Sequence, residues 1–154
     1  MASSTIDPDA PVSGKTYSDY HDPDEKDGAG IPNTTRIEEM VNNGHVQSFN
    51  WTPGSFAANH KLQIGQVAVP QGKTLRAALS WDGCPGTGLT TDFALHVIAP
   101  DGTRVVNAAS YDGAVEIGEV TNTVAGTYTF EVEYFTWDWC TALGLRQYAG
   151  FAYD

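Results

Sequence analysis

Ser80-Trp81-Asp82-Gly83-Cys84-Pro85-Gly86-Thr87-Gly88-Leu89-Thr90-Thr91-Asp92-Phe93-Ala94-Leu95-His96-Val97-Ile98-Ala99-Pro100-Asp101-Gly102-Thr103-Arg104-Val105-Val106 decides the fold. Three strand-like runs are parted by two turns rich in Gly, Pro and Asp. In the middle run Phe93, Leu95 and Val97 alternate with Ala94, His96 and Ile98, the period of two that marks a strand with one buried face. The run closes on Pro100-Asp101-Gly102. An Asp-Gly pair tolerates the positive φ that a tight hairpin turn needs. Thr103 to Ala108 then returns as the partner strand.

The same period extends outward in both directions. Upstream, Thr74 to Trp81 places Leu75, Ala77, Leu79 and Trp81 on one face. Lys61 to Val69 turns Leu62, Ile64 and Val67 inward and ends at the turn Pro70-Gln71-Gly72-Lys73. Val46 to Trp51 is stopped by Pro53-Gly54. Downstream come Val115 to Thr121, the turn Ala125-Gly126, Thr127 to Thr136 and Leu145 to Tyr153. Within Thr127 to Thr136, Tyr128, Phe130, Val132 and Tyr134 face one way and Thr129, Glu131 and Glu133 the other. Eight short strands punctuated by turns predict an all-β fold, a two-sheet antiparallel sandwich of jelly-roll type over residues 45–154.

Residues 1–44 form a separate lead-in. Up to about Gly30 the chain is polar and loop-rich, with Asp, Pro, Gly and Ser prominent. Ile37, Met40 and Val41 then recur at i, i+3 and i+4, which predicts one short helix. Asn33 or Thr34 can cap its start and Gly44 can end it.

Composition narrows the function classes. The chain has 154 residues with 41% hydrophobic and only 18% charged, and its 16 glycines suit an extracellular β domain. A net charge of −11 disfavours nucleic acid and anionic membrane as partners, because both attract basic surfaces. No run of apolar residues is long enough to insert into a membrane. Met1-Ala2-Ser3-Ser4 leads straight into polar sequence, so the expectation is a chain excised from a larger secreted precursor. Cys84 and Cys140 match no zinc motif. A disulfide between them would close a loop of about 57 residues and contribute on the order of 4 kcal/mol in the chain-entropy model. The alternative is two buried thiols. A bridge would place the protein in a secreted, extracellular setting.

Three kinds of chemistry bear on function. For catalysis, His21, His45, His60 and His96 stand in no motif with an acid and a nucleophile, and neither a Gly-x-Ser-x-Gly elbow nor a His-Glu-x-x-His pair occurs. Glu131 and Glu133 share one strand face, which reads as a solvated face. For metal, Ca²⁺ takes six to eight oxygens, mostly from loop carboxylates and carbonyls. Asp82, Asp92, Asp101 and Asp112 end or begin strands. Asp22, Asp24 and Asp27, with Gly28 for a sharp turn, form a second set. Either set ligates Ca²⁺ or simply serves turns, where Asp is common. For ligand binding, Phe135, Trp137 and Trp139 share a face. Exposed, they would stack on sugars or meet a protein; buried, they would pack beneath the cysteine pair.

With these residues laid out, the chain resembles the C-terminal region of secreted subtilisin-like serine proteases. Asp27-Gly28-Ala29-Gly30-Ile31-Pro32-Asn33 and the short helix look like the segment that closes the protease domain in that family. Leu75-Arg76-Ala77-Ala78-Leu79-Ser80-Trp81-Asp82, Thr91-Asp92-Phe93-Ala94-Leu95-His96-Val97, Pro100-Asp101-Gly102, Ser110-Tyr111-Asp112 and Gly126-Thr127-Tyr128-Thr129 look like its β-rich C-terminal domain, related to pre-peptidase C-terminal and proprotein-convertase P domains. Their order and spacing carry the likeness. Many relatives read Thr-Asp-Leu-Asp-Leu, and Ala94 stands where the second Asp would be.

The resemblance implies a non-catalytic accessory jelly roll that follows a protease domain and stabilises it or attaches it to substrate. It implies Ca²⁺ on Asp82, Asp92, Asp101 and Asp112. The catalytic residues of the family are absent here, so this chain is expected not to be an enzyme. Its expected partner is the upstream protease domain, or an extracellular polymer, polysaccharide or matrix protein, if Phe135, Trp137 and Trp139 form a binding platform. A structural or adhesive role through strand edges is the third expectation.

Overall fold

Eight strands pair into two antiparallel sheets of four, and the strands leave one sheet for the other at almost every connection. The computed structural model describes residues 5–6, 31–32, 34–81, 91–109, 114–136 and 147–154. The sandwich strands are β1 (Val46–Trp51), β2 (Lys61–Val69), β3 (Leu75–Trp81), β4 (Asp92–Ile98), β5 (Arg104–Ala108), β6 (Val115–Val120), β7 (Gly126–Thr136) and β8 (Gln147–Tyr153). The first sheet runs in the order β1-β8-β3-β6 and the second in the order β2-β7-β4-β5. Only β4 and β5 are joined as a hairpin within one sheet, and this order is that of a jelly roll. The sandwich therefore stands as the sequence predicts it. In the lead-in, Thr5–Ile6 pairs antiparallel with Ile31–Pro32, a ladder the sequence does not announce.

The helix α1 (Thr34–Asn42) ends in a Schellman motif. Gly44 takes φ +72°, the left-handed conformation that an L side chain resists. Its N–H bonds to the Val41 carbonyl at 3.1 Å, and the His45 N–H to the Met40 carbonyl at 2.8 Å. Met40 is buried. His45 then stacks on Tyr153 of β8, with ring centroids 4.6 Å apart.

Alternation on every strand feeds one core. Leu75, Leu79 and Trp81 of β3 and Phe151 of β8 meet Phe93, Leu95 and Val97 of β4 and Phe130 and Val132 of β7. Each such side chain contributes about 1.5–3 kcal/mol when removed from water. Trp51, whose sequence context leaves its side open, is fully buried at the end of β1. Its ring meets Phe93 edge-on at 4.7 Å, and Trp81 meets the same Phe93 at 5.2 Å. The Trp81 indole N–H donates to the Thr91 carbonyl at 3.1 Å, which ties the end of β3 to the start of β4 across the sandwich.

Bulges adjust the alternation. Between Gln63 and Gly65 the β2–β7 register slips, so Leu62 and Val67, of opposite parity, both reach the core. A second irregularity separates Val97 from Ile98 on β4, and a third separates Asp92 from Phe93.

Candidate functional site

The inward set on β4 is Phe93, Leu95 and Val97, so Ala94, His96 and Ile98 point to the outer face of the second sheet. His96 pairs with Glu131 of β7 on one side and with Asn107 of β5 on the other. Glu133 lies opposite both Ala94 and Lys61. The small Ala94 side chain leaves the space beside Glu133 open for the longer His96.

These pairings assemble an ion network. His96 Nε2 lies 2.9 Å from Glu133 Oε2. The same oxygen lies 3.7 Å from Arg104 Nη2 and 3.8 Å from Lys61 Nζ. Lys61 Nζ donates to Glu131 Oε1 at 2.8 Å, and Arg104 Nη1 donates to Asn107 Oδ1 at 3.2 Å. Four strands thus contribute to one cluster. With His96 neutral, its two cations and two carboxylates balance.

His96 is fully buried although it faces away from the core. Burial pushes its pKa below the usual histidine value. The hydrogen bond and charge of Glu133 pull the other way, and Arg104 and Lys61 push further down. A neutral ring facing an ionised carboxylate must donate from Nε2, which leaves Nδ1 as a bare acceptor. Nδ1 is buried and has no hydrogen-bond partner among the described residues.

Sequence reasoning misses this site. It reads Glu131 and Glu133 as a solvated face, yet each side chain is about three-quarters covered and ion-paired, at 23% and 22% exposure. Their outward alternation and that of His96 were both legible; the strand register that makes them neighbours was not.

Phe135, two residues after Glu133, is the residue that the β4–β7 irregularity leaves without a partner across the ladder. Phe135 is 51% exposed. Trp137 and Trp139, the other members of the expected platform, lie outside the described residues, as do Cys84 and Cys140.

The carboxylates expected to share Ca²⁺ are not brought together where they can be followed. Asp92 opens β4 and Asp101 lies in the turn beyond its far end. Strand rise puts roughly 20 Å between the two ends, far beyond the reach of one ion. Asp101 instead accepts the Thr103 N–H at 2.9 Å, and the Thr103 contacts hold its carboxyl below the usual range. Partial burial raises Asp92, which disfavours the charged form a cation needs. Asp82, Asp112, Asp22, Asp24 and Asp27 lie outside the described residues. Asp92 and Asp101 therefore do not fit one shared Ca²⁺, and no group of three metal-ligating side chains occurs among the described residues. Nor, among them, is any helix long and apolar enough to cross a membrane.

No family model matches the chain, and no curated protein matches it. Among solved structures it is similar to PliG, a periplasmic inhibitor of g-type lysozyme from Aeromonas hydrophila. That likeness has 12% identity and a TM-score of 0.39, over 71% of this chain and 87% of that one. It is also similar to a protein from Sulfurospirillum deleyianum, with 10% identity and a TM-score of 0.35, over 71% of this chain and 97% of that one.

Proposed function

We propose that this chain is a non-catalytic accessory domain of a secreted, subtilisin-like protease, and that it attaches the enzyme to its substrate through the outer face of the second sheet. One observation supports the reading: four of the resembling segments coincide with strands and a hairpin of one jelly roll. Leu75 to Trp81 is β3, Asp92 to Val97 lies in β4, Pro100-Asp101-Gly102 is the hairpin, and Gly126 to Thr129 opens β7. The outer face of the second sheet supplies the means of attachment. It carries donors and acceptors of both charges, and Phe135, two residues along β7 from Glu133, is exposed. The test compares the parent protease with and without this domain on a folded protein substrate. The expected result is a raised KM with kcat unchanged when the domain is removed. Unchanged kcat/KM together with unchanged thermal inactivation would remove the proposal.

Phe135 favours a second reading, a carbohydrate- or matrix-binding module, because an exposed aromatic beside hydrogen-bonding groups stacks on sugar rings. Retention on cellulose, chitin, xylan or collagen, lost in Phe135→Ala, supports it. Passage through all four without retention counts against it.

A further inference from the structure

We propose that the His96–Glu133 contact is an acid-sensitive latch: neutral His96 keeps the outer-face network of the second sheet closed, and proton uptake at His96 opens it. The inference deepens the attachment reading, on which its functional consequence rests.

The argument begins with what a proton would meet. Nε2 already faces Glu133, so an incoming proton must occupy Nδ1. There it would create a buried N–H with no acceptor among the described residues. Leaving such a donor unmade forfeits its hydration without return. The charge would also be misplaced. From β7, Glu131 and Glu133 face the ring, but Glu131 is engaged by Lys61 at 2.8 Å. From β5 comes Arg104, beside the neutral Asn107, and from β2 comes Lys61. On β4 itself Asp92 lies at the strand start. An imidazolium would thus join two cations that already share the Glu133 carboxylate at 3.7 and 3.8 Å. The closed arrangement is balanced only while His96 is neutral, and its depressed basicity agrees with that.

The sign follows by linkage. A histidine with a folded pKa below its unfolded value binds fewer protons folded than unfolded. Stability is therefore full above the unfolded value, about 6.5, and falls as pH drops from there toward the folded value. A state in which His96 reaches water gains in the same window. Opening needs only the β4–β7 outer face to loosen, and that face carries Glu131 and Glu133.

The primary experiment follows the ring of His96 in the wild-type chain by NMR between pH 4 and 8. The expected result is an Nε2–H tautomer and a midpoint below that of a free histidine. A midpoint at or above the free value, or an Nδ1–H tautomer, overturns the latch. The second compares melting of wild type and His96→Gln, whose amide can donate to Glu133 but cannot ionise. Wild type should lose several degrees relative to the variant between pH 7.5 and 5. A constant difference overturns the latch, and if the variant does not fold the ring titration decides alone. The third measures wild-type retention on the substrate protein, expected to fall at pH 5 and to stay level in His96→Gln; equal wild-type retention at both pH values counts against the latch. No retention at any pH refutes the attachment reading alone, since the titration and the melts need no ligand.

Discussion

Replacing Gly118 by alanine tests how tightly the sandwich closes along β5 and β6, which face each other across it. Gly118 lies on β6 opposite Ala77 of β3 and looks into the core. A Cβ there would fall 2.3 Å from Val106 Cγ1 on β5, whereas ordinary van der Waals contact lies at 3.4–4 Å. Val106 cannot yield easily. It is β-branched, stiff at χ1, and packed in the core. Overpacking of this kind costs about 1–3 kcal/mol. For a domain of this length about 2 kcal/mol lowers the melting temperature by about 4–8 °C. Val106→Ala alone removes two methyl groups, about 1.6 kcal/mol by transfer before any cavity cost. The double variant Gly118→Ala/Val106→Ala puts a methyl where one was removed. Its loss should therefore fall short of the sum of the singles by about 1 kcal/mol or more. The assay is urea unfolding of all four proteins with a common m-value. Strict additivity, or a Gly118→Ala chain as stable as wild type, would refute the close approach.

Thr123 clasps a neighbouring turn: its buried hydroxyl lies 2.8 Å from the Pro70 carbonyl and 3.1 Å from that of Lys73, and accepts the Lys73 N–H at 3.2 Å. Thr123→Val keeps the shape and strands these groups, so unfolding in urea should show a loss of about 1–3 kcal/mol. Phe135→Ala should leave stability within about 0.5 kcal/mol of wild type, because its ring is exposed, while lowering retention on whichever ligand binds that face. If Ca²⁺ raises the melting temperature at all, Asp101→Ala should leave that increment intact, because Asp101 lies beyond the opposite end of β4 from Asp92; an increment abolished by this change would restore a shared site. Asp101→Ala should itself lower the melting temperature slightly above pH 4. The difference should vanish as pH falls through the depressed carboxyl pKa, since only the ionised form gains from Thr103.

The fold was legible because each strand announces its own inner face. Tyr128, Phe130 and Val132 alternate without a break, and the hairpin at Asp101-Gly102 is written in its turn residues. The bulges were not legible: nothing local marks Ile64 as the inserted residue, since its cause is the fit of β2 onto β7. Glu116 shows the same limit. It lies buried opposite Leu79, where composition alone assigns a carboxylate to solvent. The His96 cluster is the largest case. Its members are up to 72 residues apart in sequence, from Lys61 to Glu133, and meet only through register. The separation of Asp92 from Asp101 was hidden for the complementary reason, because turn-loving Asp residues occur at both ends of a strand and the sequence does not say which ends share a rim.

The placement of β8 bears on biosynthesis. It comes last of the eight sandwich strands in chain order, yet it occupies an inner lane of the first sheet, hydrogen-bonded to β1 on one side and β3 on the other. Even Asp154 exchanges two backbone bonds with Arg76, at 2.8 and 2.9 Å. Before β8 is added, β1 has no strand partner in the sheet and β3 has only β6. The first sheet cannot close until β8 is in place, which makes a truncation within β8 a cause of aggregation rather than of a merely shortened product.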